Sequence, residues 1–316
     1  MKKRILYLDL LKILAMFLVS FYHIGYYFLD YNFVSNVHYI PNLNRIIMNI
    51  CAVSVPLFFT VSGSIALNKN YTNKQLLHKI FYLFILLIFW SILIKFPRWF
   101  LITLIGLYII YPILKYFFDN NKNIYYLIIA FFLIMPFIYN FIIFLGISFD
   151  IKKLNFLTRT GFFTLYSVVY FSLGGVLYNL NKKNPLLCII CFLFGLLLTT
   201  LEGYSYTNYN NAMFDNVNAS FPTIGALIMC VGIFLFFKNI NINNINITNL
   251  ITTISKNCFS VYLFHLPIWS TLNKFLNISF MNLFQCMILT LIVDSIAIII
   301  SILIKKIPYL KKTLEF

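Results

Sequence analysis

At 316 residues, with 61% hydrophobic and only 10% charged residues and a mean hydropathy of +0.88, the chain is too apolar for a soluble domain, where about a quarter of residues carry charge. Its 24 Lys and Arg against 8 Asp and Glu give a formal charge of +16. The basic residues fall between long apolar runs, so the charge reads as a membrane orientation signal with attraction to anionic lipid. A nucleic-acid footprint is excluded.

Taken in chain order, the basic start "MKKR" leads into a full-length apolar span without a small-residue cleavage site, so the first span is expected to stay in the protein. Polar punctuation then divides the chain into ten candidate spans at 6–28, 43–67, 79–95, 98–118, 123–145, 161–180, 185–201, 219–238, 254–273 and 281–304. Lys95, Pro97 and Arg98 make a tight break between the third and fourth. The expected fold is an all-α polytopic membrane protein, residues 1–316 forming one integral-membrane domain with no separate soluble domain. With the N-terminus inside, sixteen of the 24 basic residues fall on inner segments and seven on outer ones, Lys12 lying within a span. Both termini are therefore expected to be cytoplasmic.

The first span, "LYLDLLKILAMFLVSFYHIGYYF", carries Asp9, Lys12 and His23, each costly in hydrocarbon. Lys12 and His23 are eleven residues apart, roughly 20° past three full turns, so both lie on one face about 16 Å apart along the axis. Asp9, one turn before Lys12, is placed to pair with it. The spacing predicts a polar stripe with a charged pair near the inner side and an imidazole toward the outer side. The competing reading has Asp9 and Lys12 snorkelling to the boundary and His23 making a helix contact.

Further along, the six cysteines lie in or beside apolar runs, which fits helix packing, and the "CIIC" of Cys188 and Cys191 has no other soft ligand nearby. No metal is expected. The segment 202–220, "EGYSYTNYNNAMFDNVNAS", is predicted to be an outward loop starting at Glu202, with two acids, four Tyr or Phe, many amides and no Lys or Arg. The composition permits a carbohydrate-binding rim, and a simple solvated loop accounts for the same residues more readily. His265 in "YLFHLPIW" lies mid-span just before Pro267, and either lines a cavity or bonds a carbonyl freed by the proline. Asp294 in the last span needs a partner that spacing does not name.

The stretch "YLDLLKILAMFLVSFYH" (7–23) resembles the first-helix signature of the membrane-bound acyltransferase-3 family, in which an Arg is followed by a His. "VPLFFTVSGSIAL" (55–67) is similar to the family's second-helix motif, "RWFLITLIGLYIIYPIL" (98–114) to its Trp-Phe-Leu and Leu-Tyr-Pro segment, and "SKNCFSVYLFHLPIW" (255–269) to its late Tyr-Leu-His-Pro element. The pieces occur in the family's order across nearly the whole chain. Lys12 stands where the family usually has Arg, exchanging a planar fork for a point charge. Arg98 stands where many relatives place a His beside the Trp, here Trp99.

The resemblance implies an O-acyltransferase of the bacterial cytoplasmic membrane. It implies transfer of an acyl group, usually acetyl from acetyl-CoA, to a hydroxyl of a cell-envelope glycan or its lipid-linked precursor, with no tightly bound cofactor. On that reading Lys69, Lys74, His78 and Lys79 supply cationic groups for the donor at the inner face, and Lys12 holds the donor deeper. His23 acts as general base on the sugar hydroxyl, or alternatively forms an acyl-imidazole. Asp9 supports Lys12, while Arg98, Trp99, Glu202 and His265 are candidates for the acceptor side or the cavity. A transporter or flippase for glycan or lipid, and a non-catalytic membrane partner, also accommodate intramembrane charge. No convincing internal repeat supports the transporter.

Overall fold

Apolar periodicity sets the helix order, and polar caps set where several helices begin. The computed structural model describes residues 4–26, 28, 43–94, 98–133, 137, 141, 165–210, 223–276 and 281–314. Among these the regular structure is helical: α1 (Leu6–Gly25), α2 (Leu43–Ile50), α3 (Ser54–Leu67), α4 (Asn73–Leu93), α5 (Trp99–Asn120), α6 (Lys122–Leu133) and α7 (Leu165–Asn179). They are followed by α8 (Pro185–Asn210), α9 (Ile224–Lys238), α10 (Ile245–Ser255), α11 (Cys258–Leu276), α12 (Leu283–Ile304) and α13 (Pro308–Leu314). A 3-10 turn at Cys51–Val53 joins α2 to α3.

Thr72 opens α4 with a capping box: its hydroxyl accepts from the Gln75 amide at 3.3 Å, and the Gln75 side chain accepts from the Thr72 amide at 3.1 Å. Asn282 and Gln285 repeat the device at α12, both bonds at 2.9 Å. Six described segments are long and apolar enough to cross a membrane: Leu6–Gly25, Leu43–Leu67, Asn73–Leu93, Trp99–Asn120, Pro185–Ser205 and Leu283–Ile304. Shorter apolar helices occupy Lys122–Leu133 and Ile224–Lys238. The predicted spans 123–145 and 161–180 are described only in part, and the Lys95–Pro97 break lies outside the described residues, as do Lys152, Lys153 and Arg159.

Burial sorts these helices into a centre and a rim. The apolar window of Leu43–Leu67 is 78% buried and that of α1 61%, against 22% for α4 and 33% for α12, whose exposed faces are rich in Ile, Leu and Phe. Such faces suit lipid. α1 touches α3, α9, α10, α11 and α12, so the helix with the polar stripe lies where most others converge.

Small residues allow the tightest seams. At the α3–α7 seam a Cβ on Gly63 would stand 1.8 Å from the Phe171 carbonyl oxygen, and one on Gly174 would stand 2.0 Å from that of Thr60. Only hydrogen fits there, the usual means by which membrane helices bring their backbones together. The α8–α9 seam is built likewise around Gly195, Gly225 and Gly232. Cys188, on this seam, is buried, and all six cysteines are free thiols, five of them buried.

One sequence expectation about helix bounds is corrected. The segment from Glu202 does not begin a loop, because α8 continues through Asn210; Gly203 alone does not stop a helix with no proline near it. The remainder of that expected loop, 211–222, lies outside the described residues. α11 runs through Pro267 to Leu276, in keeping with the expected span 254–273.

Candidate functional site

The polar stripe of α1 faces a cavity of about 550 Å³, lined by Lys12 and His23 together with residues from α3, α4, α5 and α11. The eleven-residue spacing does what helical geometry requires, keeping both side chains on one wall. Lys79 of α4 and Lys256, between α10 and α11, join Lys12 in the lining, and no described carboxylate does. The cavity is therefore cationic and bounded by low-dielectric walls, conditions that focus its field on an anionic ligand.

Asp9 is not among the lining residues and does not pair with Lys12. Its partner is Arg4, in the segment before α1, whose Nε lies 2.5 Å from Oδ2 and whose Nη2 donates to Oδ1 at 3.0 Å. The Ser255 hydroxyl donates to the same Oδ1 at 2.6 Å, tying α1 to the end of α10. Asp9 is 3% exposed, and these bonds compensate its burial. Among the described residues no carboxylate stands within ion-pair distance of Lys12, leaving its charge directed at the cavity. Asp9 thus ties the helix that carries Lys12 to Arg4 and to Ser255.

Tyrosines hold Lys79. Its Nζ lies 4.3 Å from the Tyr108 ring centroid and 5.4 Å from that of Tyr71, and donates to the Tyr71 hydroxyl at 3.5 Å. Lys69 covers the Tyr71 ring at 4.4 Å, and the Tyr111 hydroxyl donates to the Lys69 carbonyl at 2.6 Å. In this tether burial raises the Tyr71 phenol above its ordinary value, while the neighbouring Lys79 acts in the opposite direction. The other expected donor contacts separate from it: Lys74 and His78 are exposed and do not line the cavity.

Aromatic side chains form much of the remaining wall. Phe100 stands 5.8 Å from Phe58 and 5.3 Å from Tyr262 between ring centroids, with Phe259 and Trp99 also in the lining. Of the two residues expected at the start of α5, Trp99 therefore lines the cavity, while Arg98 is exposed and does not. Glu202 is also away from the lining. It is 3% exposed and accepts from the Ile224 amide at 3.2 Å and the Gly225 amide at 3.4 Å, which makes it the acidic cap of α9.

His265 lies against His23. The two ring centroids are 5.2 Å apart with planes inclined at 37°, one imidazole from each of α1 and α11. Nδ1 of His265 bonds the Val261 carbonyl at 2.9 Å, not the carbonyl that Pro267 leaves without an amide donor, and Nε2 is buried without a hydrogen-bond partner among the described residues. Asp294 is 4% exposed and lies near the hydroxyl of Ser20.

Comparison with known proteins decides what this arrangement belongs to. A family model described as an acyltransferase domain matches residues 5–98 and 94–305, which takes in every lining residue. The chain belongs to the acyltransferase-3 family. No curated protein and no solved structure gives a significant match. The chemistry of this membrane acyltransferase is acyl transfer, and its cavity brings together all four motifs that carried the resemblance, with Lys12 and His23 from the first, Phe58 and Ser62 from the second, Trp99 and Tyr108 from the third, and Cys258 and Tyr262 from the last. Sequence reasoning missed Tyr108, Ser255, Lys256 and Tyr262 as lining residues, although each lies within or beside a motif already quoted.

Proposed function

We propose that the enzyme takes an acyl group, acetyl in the first instance, from acyl-CoA at the cytoplasmic side of the bacterial cytoplasmic membrane. It passes the group to a hydroxyl of an envelope glycan or its lipid-linked precursor. The observation that carries this reading is a single cavity holding three lysines, no described carboxylate, and His23 about 16 Å along α1 from Lys12. An acyl-CoA is a polyanion with a long arm ending in a thioester. The lysines suit its charged end, and the distance to His23 suits the arm.

His23 then removes the proton from the acceptor hydroxyl as the oxygen attacks the thioester carbonyl. The C–O bond forms, the C–S bond breaks, and the proton passes from His23 to the departing thiolate. Aromatic faces in the same cavity, including Tyr22, Tyr26, Trp99 and Tyr262, suit stacking against a sugar ring.

Purified protein in lipid, supplied with labelled acetyl-CoA and envelope glycan precursors, tests the proposal. His23→Gln should accumulate normally and lose about 10² to 10⁴ in transfer rate. Lys12→Met should weaken donor use, whereas Lys12→Arg keeps it. Near wild-type transfer by His23→Gln would remove the imidazole from the chemistry.

A further inference from the structure

From the pairing of the two imidazoles we infer that His265 is a positioning residue: its buried Nε2 accepts the N–H of His23 and so fixes which His23 nitrogen faces the acceptor hydroxyl. The inference rests on the proposed role of His23 as base. A carbonyl oxygen can only accept, so the 2.9 Å bond from His265 Nδ1 to Val261 places the proton on Nδ1. The other nitrogen then carries a lone pair. That lone pair is buried, in a residue 1% exposed, and has no hydrogen-bond partner among the described residues. A buried acceptor in a membrane helix is costly unless it is used.

The neighbour placed to use it is His23. Ring centroids 5.2 Å apart let two imidazoles bring one nitrogen each to about 2.9 Å when they turn toward one another, an ordinary hydrogen-bond length. His23 lines the cavity and His265 does not, so one ring meets substrate and the other stands behind it. Accepting from the rear nitrogen leaves the front nitrogen of His23 unprotonated, the form a general base requires. The proton taken from the hydroxyl goes to the front nitrogen and on to the thiolate. His265 gains none, and only the hydrogen bond strengthens while His23 is cationic.

Carbethoxylation of His23 by diethyl pyrocarbonate tests this independently of acyl transfer, because the reagent reports the nucleophilicity of the front nitrogen. His78 is exposed and outside the cavity, and serves as the internal reference in the same protein. His265→Phe fills the ring volume without a nitrogen, and His265→Leu replaces it if that variant does not accumulate. His265→Gln offers an amide oxygen in place of Nε2. In His265→Phe the His23 rate relative to His78 should fall about fivefold and turnover about 10- to 100-fold at unchanged donor KM, with both largely restored in His265→Gln. Unchanged His23 reactivity in His265→Phe, or an equal drop in both variants, overturns the assignment. If the wild-type protein turns over no acyl-CoA, the proposed function fails, and the carbethoxylation rates still decide the role of His265.

Discussion

Gly63→Ala is the substitution for which the structure gives the clearest magnitude. The added Cβ would sit 1.8 Å from a backbone oxygen of α7, and real Cβ contacts essentially never fall below 3.0 Å, so the α3–α7 seam has to widen by about 1.2 Å. Neither atom can swing aside, because one is fixed to each helix backbone. Overpacking ordinarily costs about 1–3 kcal/mol, and a backbone-on-backbone clash belongs at the upper end. Spread over a chain of this size, about 3 kcal/mol should lower the thermal midpoint of the detergent-solubilised protein by about 4–5 °C. Turnover should fall as well, since α3 also carries Val55, Phe58, Ser62 and Ile65 in the cavity wall. Gly175→Ala is the control: its Cβ would meet the Leu67 side chain at 2.7 Å and Phe118 at 3.2 Å, groups that can move. Its midpoint should drop by less than half as much. A Gly63→Ala protein that melts with the wild type, or a Gly175→Ala protein that suffers equally, would refute the reasoning.

Tyr108→Leu should raise the donor KM about 5- to 30-fold, the equivalent of losing a desolvated cation–π contact of about 1–2 kcal/mol, while Tyr108→Phe keeps the ring face and the KM. Arg4→Met should destabilise more than Asp9→Asn, about 3 against about 1 kcal/mol by thermal unfolding, because it strands a buried carboxylate whereas the reverse change strands an arginine side chain already 39% exposed. Equal losses would mean that the pair adds nothing to the burial of Asp9. Glu202→Leu should cost about 1–2 kcal/mol by leaving the Ile224 and Gly225 amides at the start of α9 without their acceptor, although Thr223 still caps Ala226. Its turnover per folded molecule should match wild type, and selective loss of transfer would return Glu202 to the acceptor site.

Helical periodicity made the stripe legible: Lys12 and His23 line one cavity because residues eleven apart on an α-helix share a face. The same arithmetic misassigned the partner of Asp9. Spacing along a helix compares residues on that helix, whereas Arg4 reaches in from the segment before it and Ser255 arrives from another helix. Periodicity also separates Lys79, turned inward on α4, from Lys74 and His78, which point out; a charge count over the segment could not distinguish them. His265 could be singled out as an intramembrane histidine, but its place behind His23 depends on how α1 and α11 pack, a long-range fact with no local signature. The α8 extension past Glu202 was obscured because polar composition was read as loop, although nothing in the sequence stops the helix before Asn210.

The bond from Ser255 to Asp9 also has a consequence in time. The two residues are 246 apart in the chain, so at about 5–20 residues per second roughly 12–50 s of synthesis separate the insertion of the acid from the arrival of the hydroxyl that completes its bonding. Arg4, five residues from Asp9, emerges with it and neutralises it throughout that interval. The first helix can therefore enter the bilayer with its acid already partnered, wait for the last third of the protein, and be locked only when α10 docks. A nascent chain that stops before Ser255 keeps the helix bearing His23 but lacks the late wall of the cavity, which makes synthesis of the C-terminal helices the step that completes the site.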